Sequence, residues 1–160
     1  ADRWLQTRLG EPVTLAVVLS SRKEEVEAAI LRQLGAADLP NWIKLLPARS
    51  DVAAYYRLAD VFLSPSREEG FCYSLIEAVY CGTPVLASAI DAQRDLALPK
   101  EAFFPPQDAA ALSAAISRVF RQGNTQEQRD ALVQTADRVK QTYSLSRWAE
   151  RVYAAYEKIR

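Results

Sequence analysis

The sequence predicts an α/β fold, a three-layer, Rossmann-like arrangement in which helices cover both faces of a doubly wound parallel sheet. Strand-like and helix-like segments alternate through most of the chain, and helical connections of this length favour parallel pairing. The first strand-like run, VTLAVVLS at residues 13–20, is almost wholly apolar, which is typical of a strand covered on both faces. At 160 residues, the chain is expected to form one domain, residues 1–160, around a single core.

The first half of the chain contains three strand-like and two helix-like segments. The first helix stops at a glycine, and Pro65 ends the third strand because proline cannot donate to a sheet ladder. In order, the predicted elements are a strand at 13–20, a helix at 22–35, a strand at 41–47, a helix at 50–59 capped by Ser50 or Asp51, and a strand at 60–66.

The second half opens with the segment 66–88 and ends in three helices. The run at 101–106 is predicted to be an edge strand, because prolines close it. The last helix carries an apolar stripe, which is expected to pack on the domain's own core; the alternative is that part of it contacts another domain. The stripe consists of Trp148, Val152, Tyr156 and Ile159. The remaining elements are a strand at 83–88 and helices capped by Asp108, by Thr125 and by Ser144 or Ser146.

Composition excludes several classes of protein. Lys plus Arg equals Asp plus Glu, and there is no basic run, so a nucleic-acid binder is not expected. No apolar stretch approaches the ~20 residues that span a bilayer, and no signal peptide is visible, so we expect a cytoplasmic protein. Because the chain lacks an initial Met, we also expect an excised piece of a longer protein.

Metal binding is not expected either. The chain has no histidine, and its two cysteines, Cys72 and Cys81, lie nine residues apart rather than in a clustered pair. We expect both to be small apolar residues near a packed helix, without a disulfide between them.

The segment SREEGFCYSLIEAVYCGTPVLAS, residues 66–88, holds the residues of greatest chemical interest. Glu77 has two readings: with Ser74 it matches a capping box, and it could also bind vicinal hydroxyls of a sugar or ribose with its two acceptor oxygens. Glu69 is either a solvated turn residue or a second hydroxyl ligand. Gly70 allows close backbone approach just before a helix N-terminus, where a phosphate would be favoured, although the chain has no Walker loop.

The residues of this segment resemble those of retaining glycosyltransferases of the GT-B fold, the glycosyl transferases group 1 type. Two glutamates separated by seven residues stand in Glu69-Gly70-Phe71-Cys72 and Glu77-Ala78, followed by Gly82-Thr83-Pro84-Val85. The resemblance continues in YYRLADVFLSPS before the motif and in FFPPQDAAALSAAISRVF and YSLSRWAERVYAAYEKI after it. It therefore covers nearly the whole chain.

The resemblance implies that this chain is the donor-binding, C-terminal half of a GT-B enzyme. By resemblance, Glu69 is the catalytic residue beside the hydroxyls of the donor sugar, and Glu77 binds the nucleotide ribose. The turn at Gly70, with the backbone amides of Phe71, Cys72 and Tyr73, would hold phosphate or sugar hydroxyls. The resemblance places the nucleotide base near Leu46, Pro47 and Arg49.

The implied reaction transfers a sugar, with retention, from a UDP- or GDP-linked donor to a glycan or lipid-linked acceptor. The resemblance implies that neither a metal nor another cofactor is needed. An N-terminal domain absent from this chain would hold the acceptor, and the whole protein could lie at the inner face of the cytoplasmic membrane. The isolated domain would therefore bind donor and turn nothing over.

The chain departs from the family pattern at several positions. Cys72 stands where the motif has its second glycine, the loop at 89–95 lacks two glycines, and Ser20-Ser21 follow the first strand instead of a glycine turn. The family's diphosphate-facing Arg and Lys lie upstream of this chain, and Arg67 is better read as a surface charge. A non-catalytic interaction module of the same fold and a related nucleotide-sugar enzyme such as an epimerase remain alternatives. An oxidoreductase ranks low, because no G-x-G-x-x-G follows the first strand.

Overall fold

The computed structural model describes residues 13–19, 22–96, 98–122 and 126–159. Strands and helices alternate in the predicted order, and every strand pairing is parallel. The chain divides into two compact units, the first ending at Val52 and the second beginning at Ala53. The expectation of a single 160-residue domain stays a prediction.

The first unit consists of two parallel strands that are connected by one helix. Leu15 lies opposite Ile43 and Val18 opposite Leu46, and the helix ends at Gly35, whose left-handed φ of 62° suits glycine. Leu15 and Val18 are exposed, so the prediction of a strand covered on both faces is wrong for these residues. An apolar run favours a strand without specifying which elements cover it. The elements are β1 (Leu15–Val18), α1 (Lys23–Leu34) and β2 (Ile43–Leu46).

The second unit is built on a three-stranded parallel sheet. Its elements are α2 (Ala53–Leu58), β3 (Phe62–Ser64), α3 (Tyr73–Tyr80), β4 (Val85–Ser88), α4 (Asp91–Arg94), a 3-10 turn (Lys100–Ala102), β5 (Phe103–Phe104), α5 (Ala109–Gln122), α6 (Gln126–Tyr143) and α7 (Leu145–Glu157). The strand order is β3-β4-β5, so the two-residue β5 is an edge strand, as its prolines predict.

The core of this unit joins β4 to the inner face of α3. All four residues of β4 are buried, and α3 buries Leu75, Ile76, Ala78 and Val79. Full burial of an aliphatic side chain contributes roughly 1.5–3 kcal/mol, so these residues fix α3 on the sheet. At its end, Gly82 adopts φ 76°, and the amides of Gly82 and Thr83 donate to the carbonyls of Val79 and Ala78, a Schellman motif.

Two of the predicted helix caps form as the sequence indicates. Asp108 Oδ1 accepts from the Ala111 amide at 2.8 Å, and Ser144 Oγ accepts from the Arg147 amide at 3.3 Å. Thr125 lies outside the described residues. The helix predicted from residue 50 begins at Ala53.

The apolar stripe on α7 is the main disagreement with the sequence-based prediction. Trp148 and Tyr156 in α7 and Ile159 just after it expose 63%, 71% and 84% of their surface, and only Val152 among the stripe residues is half-buried. The prediction that the stripe packs on the domain's own core is therefore wrong, because helical periodicity defines an apolar face without supplying its partner. Across the described part of the chain, every helix falls short of the combined length and hydropathy of a membrane span.

Candidate functional site

The candidate site lies where β3 ends and the chain turns into α3. Ser64 ends the strand, and the connection through Glu69 and Gly70 leads to the helix start at Tyr73. Parallel α/β sheets bind ligands at this edge, beyond the carboxyl ends of their strands. A Cβ added to Gly70 would meet nothing within 4 Å, and its φ is not in the left-handed region, so the fold itself does not require glycine here.

Glu69 is exposed and held by a local hydrogen bond. Ser66 Oγ donates to Glu69 Oε1 at 2.7 Å. Within the described residues, Oε2 accepts no hydrogen bond, so this oxygen can accept from a ligand hydroxyl. The serine fixes the carboxylate without neutralising its charge.

Cys72 forms the tight turn that starts α3. Its φ of −91° and ψ of 66° are those of an inverse γ-turn, and the Tyr73 amide donates to the Phe71 carbonyl at 3.2 Å. Of the three amides assigned to phosphate or sugar, Tyr73 is thus engaged inside the turn. The amides of Phe71 and Cys72 donate no hydrogen bond within the part of the chain that the structure describes.

The Cys72 side chain points into the core and is only 3% exposed. Burial raises the pKa of this thiol, the charge of Glu69 raises it further, and a hydrogen bond from Gln93 opposes the shift. Cys72 is therefore a protonated, free thiol at neutral pH, as is expected of a cysteine buried in an apolar cluster.

Glu77 lies on the exposed side of α3 and does not form the capping box. The helix begins at Tyr73 with Cys72 at the N-cap position, so Ser74 is already inside the helix and cannot cap it. Instead, the Tyr56 hydroxyl donates to Glu77 Oε2 at 3.0 Å. The capping-box reading is wrong, because the helix starts two residues earlier than that motif requires.

Tyr56, at the end of α2, is itself fixed from two sides. Thr83 Oγ1 donates to its carbonyl at 2.7 Å, and its ring meets the edge of Phe62 with centroids 5.3 Å apart. Burial raises the pKa of Tyr56 well above its ordinary value, and the hydrogen bond and charge of Glu77 act in the same direction. The phenol therefore remains a donor to Glu77 over the physiological pH range.

Aromatic rings flank the turn on its outer side. The Phe71 ring contacts the rings of Tyr73 and Tyr143, with centroids 4.8 and 5.6 Å apart. The Tyr143 hydroxyl donates to the Asp95 carbonyl at 3.1 Å, and burial followed by the charge of Asp95 raises the pKa of Tyr143. These contacts connect the turn to the end of α6.

A buried polar group lies beneath the turn. Gln93, in α4, is fully buried, and its Nε2 donates to Ser64 Oγ at 2.6 Å. Ser88 Oγ, at the end of β4, donates to the Ser64 carbonyl at 3.3 Å. Sequence reasoning missed Gln93 and Tyr56, because their partners lie 29 and 21 residues away and are brought close only by the fold. It also missed Ser66, although its partner Glu69 is only three residues away.

The structure links some of the predicted site residues and leaves others apart. Phe71 contacts Tyr73, but within the described chain no hydrogen bond joins Glu69 to Glu77. The predicted base region belongs to the first unit, and its assignment stays a prediction. There, Leu46 ends β2, and Pro47 and Arg49 follow in the connection. Among the described residues, no three His, Cys, Asp or Glu side chains cluster as metal ligands would.

Comparison with known proteins decides the family. Residues 5–139 match the glycosyl transferases group 1 family. The chain belongs to this family. The D-inositol 3-phosphate glycosyltransferase of Geodermatophilus obscurus is 32% identical over 130 residues, which cover 77% of this chain and 26% of that protein. The enzyme of the same name from Kribbella flavida is 41% identical over 66 residues, which cover 41% of this chain and 15% of that protein.

Solved structures support the fold. The Anabaena HepE protein in complex with UDP superposes with a TM-score of 0.74 at 19% identity, over 96% of this chain and 44% of that one. The predicted α/β, GT-B-type fold is confirmed, as is the glycosyltransferase family membership that the motif indicated. The chain spans 26% or less of the two curated relatives and 44% of the HepE chain.

Proposed function

We propose that this chain binds the nucleotide-sugar donor of a retaining glycosyltransferase. The observation that carries the proposal is the pair of exposed carboxylates on either side of a helix start. Glu69 is held by Ser66 and Glu77 by Tyr56, and each keeps one oxygen for a ligand. Two pre-positioned acceptors of this kind suit the hydroxyls of a sugar and of a ribose, because charge-assisted hydrogen bonds are the stronger ones.

The diphosphate of the donor would lie between these carboxylates. The unengaged amides of Phe71 and Cys72 and the positive end of the α3 dipole offer an anion a site there. Negative charge on the leaving diphosphate increases as the bond to the sugar breaks, so donors fixed at this point stabilise the transition state. In this assignment Glu69 contacts the sugar, Glu77 contacts the ribose, and Gly70 admits the ligand.

A uridine nucleotide is the first donor to test. Structures of HepE, similar in fold, are described in complex with UDP and with UDP-glucose. We propose a UDP-linked donor, with a GDP-linked one as the next candidate. The acceptor, a glycan or lipid-linked hydroxyl compound, would be held by the part of the enzyme beyond this chain, and we propose that the reaction takes place on the cytoplasmic side of the membrane.

The deciding experiment is a calorimetric titration of the 160-residue chain with UDP, GDP and ADP. We expect UDP to bind, and Glu77→Gln to weaken its binding by roughly 1–3 kcal/mol, because a charged acceptor is lost. Glu68→Gln, which alters an exposed acidic residue in the same turn, is the matched control and should bind as the wild type does. The proposal is wrong if all three nucleotides fail to bind, or if Glu77→Gln binds UDP unchanged.

A further inference from the structure

The motif Gly82-Thr83-Pro84-Val85 contains one polar side chain that the proposed function leaves unexplained. Thr83 lies between the end of α3 and the start of β4 and is only 2% exposed. A valine would fill nearly the same space, so packing alone does not account for a hydroxyl at this position. Burial of a hydroxyl costs free energy unless it forms a hydrogen bond. The partner of that bond therefore indicates what the side chain does.

Thr83 forms hydrogen bonds to two different helices. Its amide donates to the carbonyl of Ala78 in α3 at 3.0 Å. Its Oγ1 donates to the carbonyl of Tyr56 in α2 at 2.7 Å. The backbone bond places Thr83 relative to α3, and the side-chain bond places α2 relative to Thr83. One buried residue thus joins the two helices.

Helix α2 needs such an anchor because it is short and lacks a fully buried side chain. It has six residues, and none of them is fully buried. A helix of this length is not stable without tertiary contacts, and the carbonyls of its last turn lack helical partners. The Tyr56 carbonyl belongs to that turn and accepts from the Ala59 amide at 3.2 Å and from the Thr83 hydroxyl at 2.7 Å. The shorter of these bonds is the one that comes from outside the helix.

Tyr56 also holds one of the two carboxylates of the proposed donor site. Its hydroxyl donates to Glu77 Oε2 at 3.0 Å, and its ring meets the edge of Phe62 in β3. A shift of α2 by about one ångström would lengthen the bond to Glu77 beyond hydrogen-bonding distance. The orientation of the Glu77 carboxylate therefore depends on where α2 is held.

We propose that Thr83 is a positioning residue for the donor site and acts on Glu77 through Tyr56. The Thr83 hydroxyl holds the last turn of α2 beside α3, and Tyr56 then orients the carboxylate that is assigned to the ribose. The inference rests on the proposed function, because the ribose site belongs to it.

The first test removes the Thr83 hydroxyl and makes the same change at a second buried threonine. Thr83→Val should weaken UDP binding about fivefold, the fold-change that corresponds to one ordinary hydrogen bond. Thr135→Val is the matched control, because Thr135 is also 2% exposed and its Oγ1 donates to a backbone carbonyl at 2.8 Å, but within α6. It should bind UDP as the wild type does. Equal affinities of the two variants in calorimetric titration would overturn the proposal.

A second pair of variants serves if Thr83→Val does not fold. Thr83→Ser and Thr83→Ala both remove the methyl group, and they differ only in the hydroxyl. Thr83→Ala should bind UDP about fivefold more weakly than Thr83→Ser. The proposal is wrong if this pair binds UDP equally well.

A double-mutant cycle measures whether Thr83 acts through Tyr56. We expect Thr83→Val and Tyr56→Phe each to weaken UDP binding, and the double variant to bind no more weakly than the weaker of the two, because both changes release the same carboxylate. Additive losses would overturn the proposed route from Thr83 to Glu77.

NMR of tyrosines labelled with carbon-13 in the ring gives a readout that needs no nucleotide. The signal of Tyr56, identified as the one that Tyr56→Phe removes, is displaced by the ring current of Phe62, because their ring centroids lie 5.3 Å apart. Thr83→Val should move this signal towards those of exposed tyrosines, and Thr135→Val should leave it in place. An unchanged Tyr56 signal in Thr83→Val would overturn the link. If the wild type bound none of the nucleotides, the proposed donor site would be wrong, and the NMR comparison would decide the link between Thr83 and Tyr56 alone.

Discussion

Helices α3 and α7 look alike in sequence and differ completely in burial. Each has apolar residues at helical spacing, yet α3 buries four of its eight residues whereas α7 buries none of its thirteen. The difference follows from what each helix contacts. Helix α3 connects the parallel neighbours β3 and β4 and packs on both strands and on α6, whereas α7 contacts chiefly α6 within the described part of the chain.

The contrast also explains where the site lies. The inner face of α3 is locked on β4, so the side chains on its outer face are presented in fixed positions. Glu77 lies on that outer face, and Glu69 lies in the turn just before it. A binding site needs acceptors held to within fractions of an ångström, which a helix without a packed face cannot provide.

The largest expected effect is on the inner face of α3. Leu75→Ala should reduce the free energy of unfolding by about 3 kcal/mol, because the side chain is fully buried and the space cannot refill. Leu145→Ala makes the same chemical change in α7 at a residue that is 78% exposed, and should cost under about 0.5 kcal/mol. Urea unfolding followed by circular dichroism measures both, and similar losses would refute the contrast between the helices.

A smaller effect is expected on the outer face of α3. Tyr56→Phe should cost about 1 kcal/mol of stability and weaken UDP binding severalfold, because Glu77 loses the hydroxyl that holds it. Tyr153→Phe removes a hydroxyl from an exposed ring of α7 and is the matched control. If both variants behave like the wild type in unfolding and titration, Tyr56 does not position Glu77.

The structure confirms the sequence-based predictions that depend on residues close together in the chain. Gly35 ends α1, Asp108 and Ser144 cap their helices, and prolines mark the edge strand, because each depends on local backbone chemistry. The glutamate motif likewise identified the family from one continuous segment. The local pattern failed at Glu77, where a capping box was equally plausible from sequence but Tyr56, 21 residues away, takes the carboxylate.

Two of the site residues that the sequence did not reveal, Gln93 and Tyr56, have hydrogen-bond partners that are far away in the chain. Gln93 meets Ser64 across 29 residues, and such pairs exist only once the parallel strands have brought two loops to the same edge. The exposed face of α7 is the converse case, because its pattern predicted burial and the fold provided no partner. Periodicity therefore predicts faces, and topology decides which faces are buried.

The Tyr56–Glu77 bond also predicts how stability depends on pH. The folded protein keeps the Tyr56 proton at a pH where the unfolded chain loses it, because the pKa is raised by burial and by Glu77. This contribution is fully present below about pH 10 and is lost as the pH rises beyond that value. The urea concentration at the midpoint of unfolding should therefore decrease as the pH is raised above about 10. The decrease should be less steep in Tyr56→Phe. A residual slope is expected, since Tyr143 and Cys72 also have raised pKa values, but an unchanged slope would exclude Tyr56 as a contributor.

The smallest expected effect tests α7 at its largest side chain. Trp148→Ser should change the free energy of unfolding by less than about 0.5 kcal/mol, because nearly two-thirds of the ring is already in contact with water. A buried tryptophan truncated in this way would cost several kcal/mol, so the measurement separates the two possibilities widely. Urea unfolding of this variant beside Leu75→Ala completes the comparison. A loss near that of Leu75→Ala would mean that the face of α7 is covered in solution, and that α7, like α3, takes its order from what it packs against.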